Sequence, residues 1–196
     1  MRKVYCAVTL SLFAAGAFAQ NVASINGKAI GNKEFMWFYK KNHLGSGAAA
    51  YADLETYLNQ YINFKLKVLD AKEMGLDTDT AYLSEVKNYE LALAAQKRTA
   101  KTSPAYQLIM NEYKEAALMF NVSEIRIWNK AQNDENQLRN FYEQNKNTYL
   151  PAAFEEVKGK VIADYQERLE KEWINTLRKK YTVKINQNEV KKLAKL

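Results

Sequence analysis

The sequence predicts a mainly helical protein with one small antiparallel sheet joining an N-terminal hairpin to a C-terminal strand. Three observations carry this. Only two prolines and seven glycines interrupt 196 residues, which favours long helices. Two segments repeat apolar residues at three- and four-residue steps, the helical spacing: Leu54, Tyr57, Leu58, Tyr61, Ile62, Leu66 and Leu69, then Phe154, Val157, Val161, Tyr165, Leu169, Trp173 and Leu177. The stretch "VASINGKAI" sets Asn26-Gly27 between two β-prone runs, the strongest short-range hairpin signal.

The chain opens with Arg2 and Lys3, an apolar run from Val4 to Phe13, and the small-x-small site Ala17-Phe18-Ala19. This order reads as a secretory signal peptide over residues 1–19, cleaved before Gln20. An uncleaved anchor helix is the alternative, but the apolar run is short for the ~20 residues a bilayer requires. The expected location is the periplasm. Cys6, the only cysteine, falls inside this segment, which leaves the mature chain without a disulfide framework or thiol nucleophile.

Two strands are expected at Val22–Ile25 and Lys28–Ile30. Asn32 is expected to cap a short helix over about 33–41, followed by a flexible "HLGSGAAA" connection. A long helix over about 51–74 ends at Gly75, where a left-handed residue suits a helix C-terminus. Asp77 to Thr80 cap a helix over about 80–97. Ser103-Pro104 open another to about 120, since proline lacks the N–H that the first turn leaves unpaired. "VSEIRIW" alternates weakly, yet its neighbours make helix the better expectation. A helix near 136–145 turns Leu138, Phe141 and Tyr142 inward. Pro151 interrupts the chain, and the longest helix runs over about 152–180. A third strand at Tyr181–Ile185 is expected to join the hairpin, because an isolated two-stranded hairpin is marginal in water. A last short helix starts near Asn188.

Charge is uneven. The chain from Gln20 onward carries +5, and residues 178–196 alone carry +6, so the body is close to neutral and the tail is basic. Such a tail is either a solvated end or a peripheral contact for anionic envelope components. An exported protein is not expected to meet nucleic acid.

Residues for covalent chemistry are sparse. His43 is the only histidine, expected in a solvated loop, so no Ser-His-Asp set or histidine metal cluster closes. Asp77-Thr78-Asp79 begins like a calcium loop, but Ala81 stands at the next alternating position and the turn glycine is missing; helix capping accounts for these residues. Glu155/Glu156 and Glu167/Glu170 lie on polar helix faces among cations and read as surface pairs. No glycine-rich phosphate loop occurs. Asn121-Val122-Ser123 matches a glycosylation tripeptide without supporting context. No cofactor, metal or catalytic residue is expected. Aromatic surface remains, and Trp37, Phe38, Tyr57, Tyr61, Phe64 and Tyr89 are the candidates to line a substrate groove.

"VASINGKAIGNKEFMWFYKKN" and "LETYLNQYINFKLKVLDAKEMGLDT" together resemble the N-terminal segment of the SurA-like periplasmic chaperone and peptidyl-prolyl isomerase family, related to PrsA and PpiD. "FEEVKGKVIADYQERLEKEWINTLRKKYTVKIN" is similar to that family's closing helix and strand, and "WNKAQNDENQLRNFYEQNKNTYL" to its linker. The resemblance implies a single SurA-type chaperone core over 20–196, with an N-terminal segment of about 20–120, a linker of about 121–151 and a C-terminal helix and strand of about 152–196. It also implies unfolded or partly folded exported proteins, outer-membrane proteins among them, as partners. The sequence departs from the family where a parvulin domain would stand. Residues 119–151 are too few to hold one, Glu124 stands where a histidine often would, and no second histidine exists. The expectation is therefore an ATP-independent holdase that is not an enzyme. A degenerate prolyl isomerase and a non-catalytic adaptor of an envelope complex are the alternatives.

Overall fold

At the hairpin turn, Asn26 and Gly27 both adopt positive φ, 48° and 80°. Two consecutive left-handed residues define the turn whose twist matches that of paired strands, and Asn-Gly fits it with least strain. A computed structural model describes residues 20–43, 49–96 and 100–195. The signal-peptide expectation, most of the "HLGSGAAA" connection and the expected helix end at Lys97 lie outside these residues. The described chain is mainly helical with a small three-stranded antiparallel sheet, as the sequence predicts. The described residues divide into two compact units, those up to Glu55 together with those from Lys184, and those from Thr56 to Val183.

In the first unit, β1 (Asn21–Ile25) pairs antiparallel with β2 (Lys28–Gly31) in the register Ile25↔Lys28, Ser24↔Ala29 and Ala23↔Ile30. The strand β3 (Val183–Ile185) lies on the other side of β1, giving the order β2-β1-β3. Directly after it, the Asn186 N–H donates to the Val22 carbonyl at 2.8 Å. The strand is shorter than expected at its start. Tyr181 still belongs to the preceding helix end, its N–H donating to the Leu177 carbonyl. The helix α1 (Asn32–Asn42) turns Phe35, Phe38 and Tyr39 inward, and the short helix α9 (Gln187–Leu193) contributes Val190 and Leu193.

Asn32 does not cap α1. Gly31 occupies the cap position, and the Asn32 amide instead donates to Glu189 Oε2 at 2.9 Å. Glu189 is a buried carboxylate, and that bond ties α1 to α9. Lys192 is its second partner, and together they hold the Glu189 carboxyl below the ordinary carboxylate range, the lysine contributing most. His43 is not a freely solvated loop residue either. Its ring stacks on Tyr39 at 4.2 Å, and Nδ1 lies 2.9 Å from the Tyr39 carbonyl.

In the second unit, α2 (Tyr51–Glu73, of which the unit holds the part from Thr56) buries Leu58, Ile62 and Leu66 completely. It stops at Gly75, whose φ of 76° is the left-handed value expected there. A 3-10 turn (Leu76–Thr78) leads into α3 (Thr80–Ala95). Next comes α4 (Pro104–Ser123), which runs without a break through a π-helical turn (Glu124–Trp128) into α5 (Asn129–Asn133). Then come α6 (Glu135–Gln144), α7 (Lys146–Tyr149) and the long α8 (Phe154–Lys180). Ala131, Leu138, Phe141, Tyr142 and Tyr149 form one buried cluster with Phe154, Val161 and Tyr165 of α8. The carboxylate of Glu156 accepts from the Ala153 N–H at 2.8 Å and closes the first turn of α8.

This unit also buries a carboxylate. Asp70 of α2 is 4% exposed, and its two oxygens accept from Arg126 Nε at 3.0 Å, Arg126 Nη2 at 3.2 Å and Trp173 Nε1 at 3.0 Å. One carboxylate thereby joins α2, the π-helical turn and α8. Turns of this kind re-aim side chains within a helix. Here Arg126 is half-buried and Ile127 is buried, while Glu124 and Ile125 are exposed. Two cations of the basic tail are also held: Arg178 Nε donates to Asn63 Oδ1 at 2.8 Å, and Lys180 pairs with Glu73.

Candidate functional site

Caps and tyrosines, more than aliphatic packing, hold α3 against α4. Asp79 opens α3 by accepting from the Ala81 and Tyr82 N–H groups at 2.8 and 3.2 Å. Ser103 opens α4 by accepting from the Tyr106 N–H at 3.1 Å, with Pro104 in the first turn. Between the helices, Tyr89 and Tyr113 stack in parallel with centroids 3.6 Å apart. The Tyr113 hydroxyl donates to Glu85 at 2.9 Å, and the Tyr82 hydroxyl donates to the Lys114 carbonyl at 3.3 Å. Burial, together with the Glu85 hydrogen bond, raises the Tyr113 hydroxyl above its ordinary pKa.

This arrangement leaves apolar groups facing solvent. Only Tyr82 and Val86 of α3 are buried. Leu83 is 51% exposed, Leu91 58% and Phe120 of α4 54%. Met74 and Ile125 are exposed as well, and Phe120 packs edge-on to Trp128 at 4.8 Å. Exposed leucines scattered singly are ordinary; here Leu83, Leu91 and Phe120 all fall on the two helices of one hairpin. Beside Leu83 lies a cleft of about 330 Å³ floored by Tyr82, Val86 and Leu118 and edged by Lys72, Asp77 and Lys114. The surface offers apolar contact, aromatic faces and a few charges, a chemistry of non-covalent retention.

The six aromatic candidates are dispersed. Trp37 and Phe38 lie on α1 in the first unit, Trp37 half-buried and Phe38 buried. Tyr57, Tyr61 and Phe64 lie on α2 in the second; Tyr61 is buried and stacks on Phe64 at 5.9 Å, with Lys65 Nζ 5.3 Å above its ring. Tyr89 alone sits in the α3–α4 hairpin. Leu83, Leu91 and Phe120, exposed on α3 and α4, are not among those six candidates. A signal existed: Leu91 falls half a turn round the helix from Tyr82, so α3 is apolar on both faces, unlike a surface helix with one stripe. Of the carboxylates read as surface pairs, Glu167 pairs with Lys171 and Glu170 with Lys67, while Glu155 meets Arg139 of α6. The glycosylation tripeptide lies inside α4, where Ser123 is buried and donates to Met119 Sδ at 3.5 Å.

No protein-family model matches the sequence, and no solved structure matches it. The chain is similar to proteins named "Putative peptidyl-prolyl cis-trans isomerase Cbf2" from two strains of Campylobacter jejuni subsp. jejuni, serotypes O:23/36 and O:2. It is 26% identical to each over 162 residues, covering 82% of this chain and 50% of theirs. The chain thus spans about half the length of the curated relatives it matches. At this level the similarity supports kinship with peptidyl-prolyl-isomerase-type proteins and does not single out the SurA-like branch.

The relatives' name is that of an enzyme, and it overturns the expectation that this chain is not one. That expectation rested on the lack of room for a parvulin domain and on its missing histidines. Prolyl isomerisation rotates an amide with a barrier of about 20 kcal/mol; it breaks no covalent bond. A missing acid–base pair therefore excludes nothing.

Proposed function

We propose that this chain is an exported folding factor of the SurA-like kind, whose task is to hold unfolded or partly folded polypeptides of the envelope. The observation that carries the reading is the apolar surface of the α3–α4 hairpin, with Leu83, Leu91 and Phe120 each about half exposed. Covering the remaining area of each contributes on the order of 1 kcal/mol, so single contacts are weak and many act together. Weak distributed contact suits a holdase, which must release its client and needs no nucleotide to do so. The N-terminal stretch that reads as a signal peptide supports an exported location, with clients in the periplasm. The test is light scattering of a urea-unfolded outer-membrane β-barrel protein diluted into buffer with and without residues 20–196. Suppression of aggregation near stoichiometric ratios supports the reading. Unchanged aggregation with a folded protein refutes it.

A second reading has a specific observation in its favour. The relatives are named for prolyl cis-trans isomerisation, and a holding surface that takes proline-containing segments is a natural companion to that reaction. A proline-peptide isomerisation assay decides it: a rate well above the uncatalysed one assigns the activity to this chain, and a rate equal to background withdraws it.

A further inference from the structure

The cleft beside Leu83 is bounded by charge as well as by apolar groups. Its floor is buried Tyr82, Val86 and Leu118. Two exposed lysines edge it, Lys72 from the last turn of α2 and Lys114 from α4. Among the described residues neither ammonium has an anionic partner. The Glu115 carboxylate in the same lining is already taken: Lys65 Nζ donates to both its oxygens, at 2.6 and 2.8 Å. Asp77 supplies the remaining anion. Glu85, just outside the lining, accepts from the Tyr113 hydroxyl, so the two unpaired cations at the rim face Asp77 as the lining's one carboxylate without a lysine on it.

We infer that this cleft takes an apolar side chain from an extended acidic segment, with neighbouring carboxylates meeting Lys72 and Lys114. The inference rests on the polypeptide-holding reading and names the class of segment held. In an extended chain residues i and i±2 point the same way, about 7 Å apart. An apolar residue in the cleft therefore sends the carboxylates two positions away toward the rim. The lysines select for charge while the apolar floor provides retention, since solvent-facing ion pairs contribute little each and are screened by salt.

The test uses three labelled nine-residue peptides with a central leucine and serine spacers, differing only at the ±2 positions: Glu, Gln or Lys. Binding to residues 20–196 is read by fluorescence anisotropy at low and high salt. The Glu peptide is expected to bind roughly threefold to tenfold tighter than the Gln peptide, the size two exposed ion pairs give. The Lys peptide is expected to be the weakest, and the spread to shrink in high salt. Lys72→Glu/Lys114→Glu is expected to fold normally by circular dichroism, because it breaks no existing pair, and to reverse the order. Equal binding of all three peptides overturns the inference while leaving the holding function intact. Binding of none by the folded protein overturns both.

Discussion

Replacing Asp70 with alanine is expected to destabilise the 56–183 unit by about 2–4 kcal/mol. The figure follows from what the carboxylate holds. Trp173 Nε1 donates to it from a side chain 9% exposed and finds no water when the acceptor is removed. An orphaned buried donor costs about 1–3 kcal/mol. Arg126 loses both of its bonds, but its side chain is 38% exposed and recovers solvent, so the 3–5 kcal/mol of a fully buried broken pair is an upper bound. The assay is urea denaturation followed by far-ultraviolet circular dichroism. Trp173→Phe, which deletes the N–H but keeps the ring's bulk, is expected to cost about 1 kcal/mol. The double variant should fall short of the sum by a similar amount, because the two share one bond. A loss below about 0.5 kcal/mol for Asp70→Ala, or full additivity, refutes the claim that this carboxylate ties α2 to α8.

Further outcomes follow from the same structure. Lys180 holds the Glu73 carboxyl below its ordinary value, Lys158 does so for Glu135 and Lys192 for Glu189. All three are ionised in folded and unfolded chains at neutral pH, so their stabilisation is complete above about pH 5 and lost as the pH falls through the lowered values. Urea midpoints should therefore be flat from pH 7 to 5.5 and drop below pH 4; a midpoint rising toward acid contradicts these pairings. Gly75→Ala forces a side chain into φ 76°, with Thr78 Oγ1 the only atom near the new Cβ, at 3.8 Å. It should cost about 1 kcal/mol from backbone strain alone, visible as a lower thermal midpoint. Leu83→Ser/Leu91→Ser/Phe120→Ser should cost about 1 kcal/mol per site and leave the fold intact, since each side chain is only about half covered. The same variant should clearly weaken retention of unfolded protein in the light-scattering assay; loss of fold instead would show the three to be core.

Periodicity made the long helices legible, and local chemistry their ends. The stripe from Phe154 to Leu177 lies inward along α8, Gly75 terminates α2 with the expected left-handed geometry, and Asn26-Gly27 makes the turn its dihedral preferences demand. What escaped were features set by distant partners. Asn32 is a good capping residue by type, but Glu189, 157 positions away, claims its amide. The weak alternation of "VSEIRIW" becomes a π-helical turn that brings Arg126 to Asp70, a pairing no local pattern announces. In the candidate site, Tyr89 stands out by its aromatic character, whereas Leu91 is legible as a second apolar face of α3 and the packing adds that this face lacks cover. The expectation of a non-enzyme rested on a missing parvulin domain and its histidines, and the isomerase name of the relatives overturns it.

The central claim is that the α3–α4 hairpin is the surface that holds unfolded chains. Its most direct test is site-specific photo-crosslinking. A benzophenone side chain is placed at Leu83, Leu91 or Phe120, and at the exposed control positions Gln132 and Lys171, before illumination with a urea-unfolded outer-membrane protein. Adducts concentrated at the three hairpin positions and lost when the client is folded are the predicted result. Equal adducts at the control positions, or none on the hairpin while aggregation is still suppressed, would contradict it.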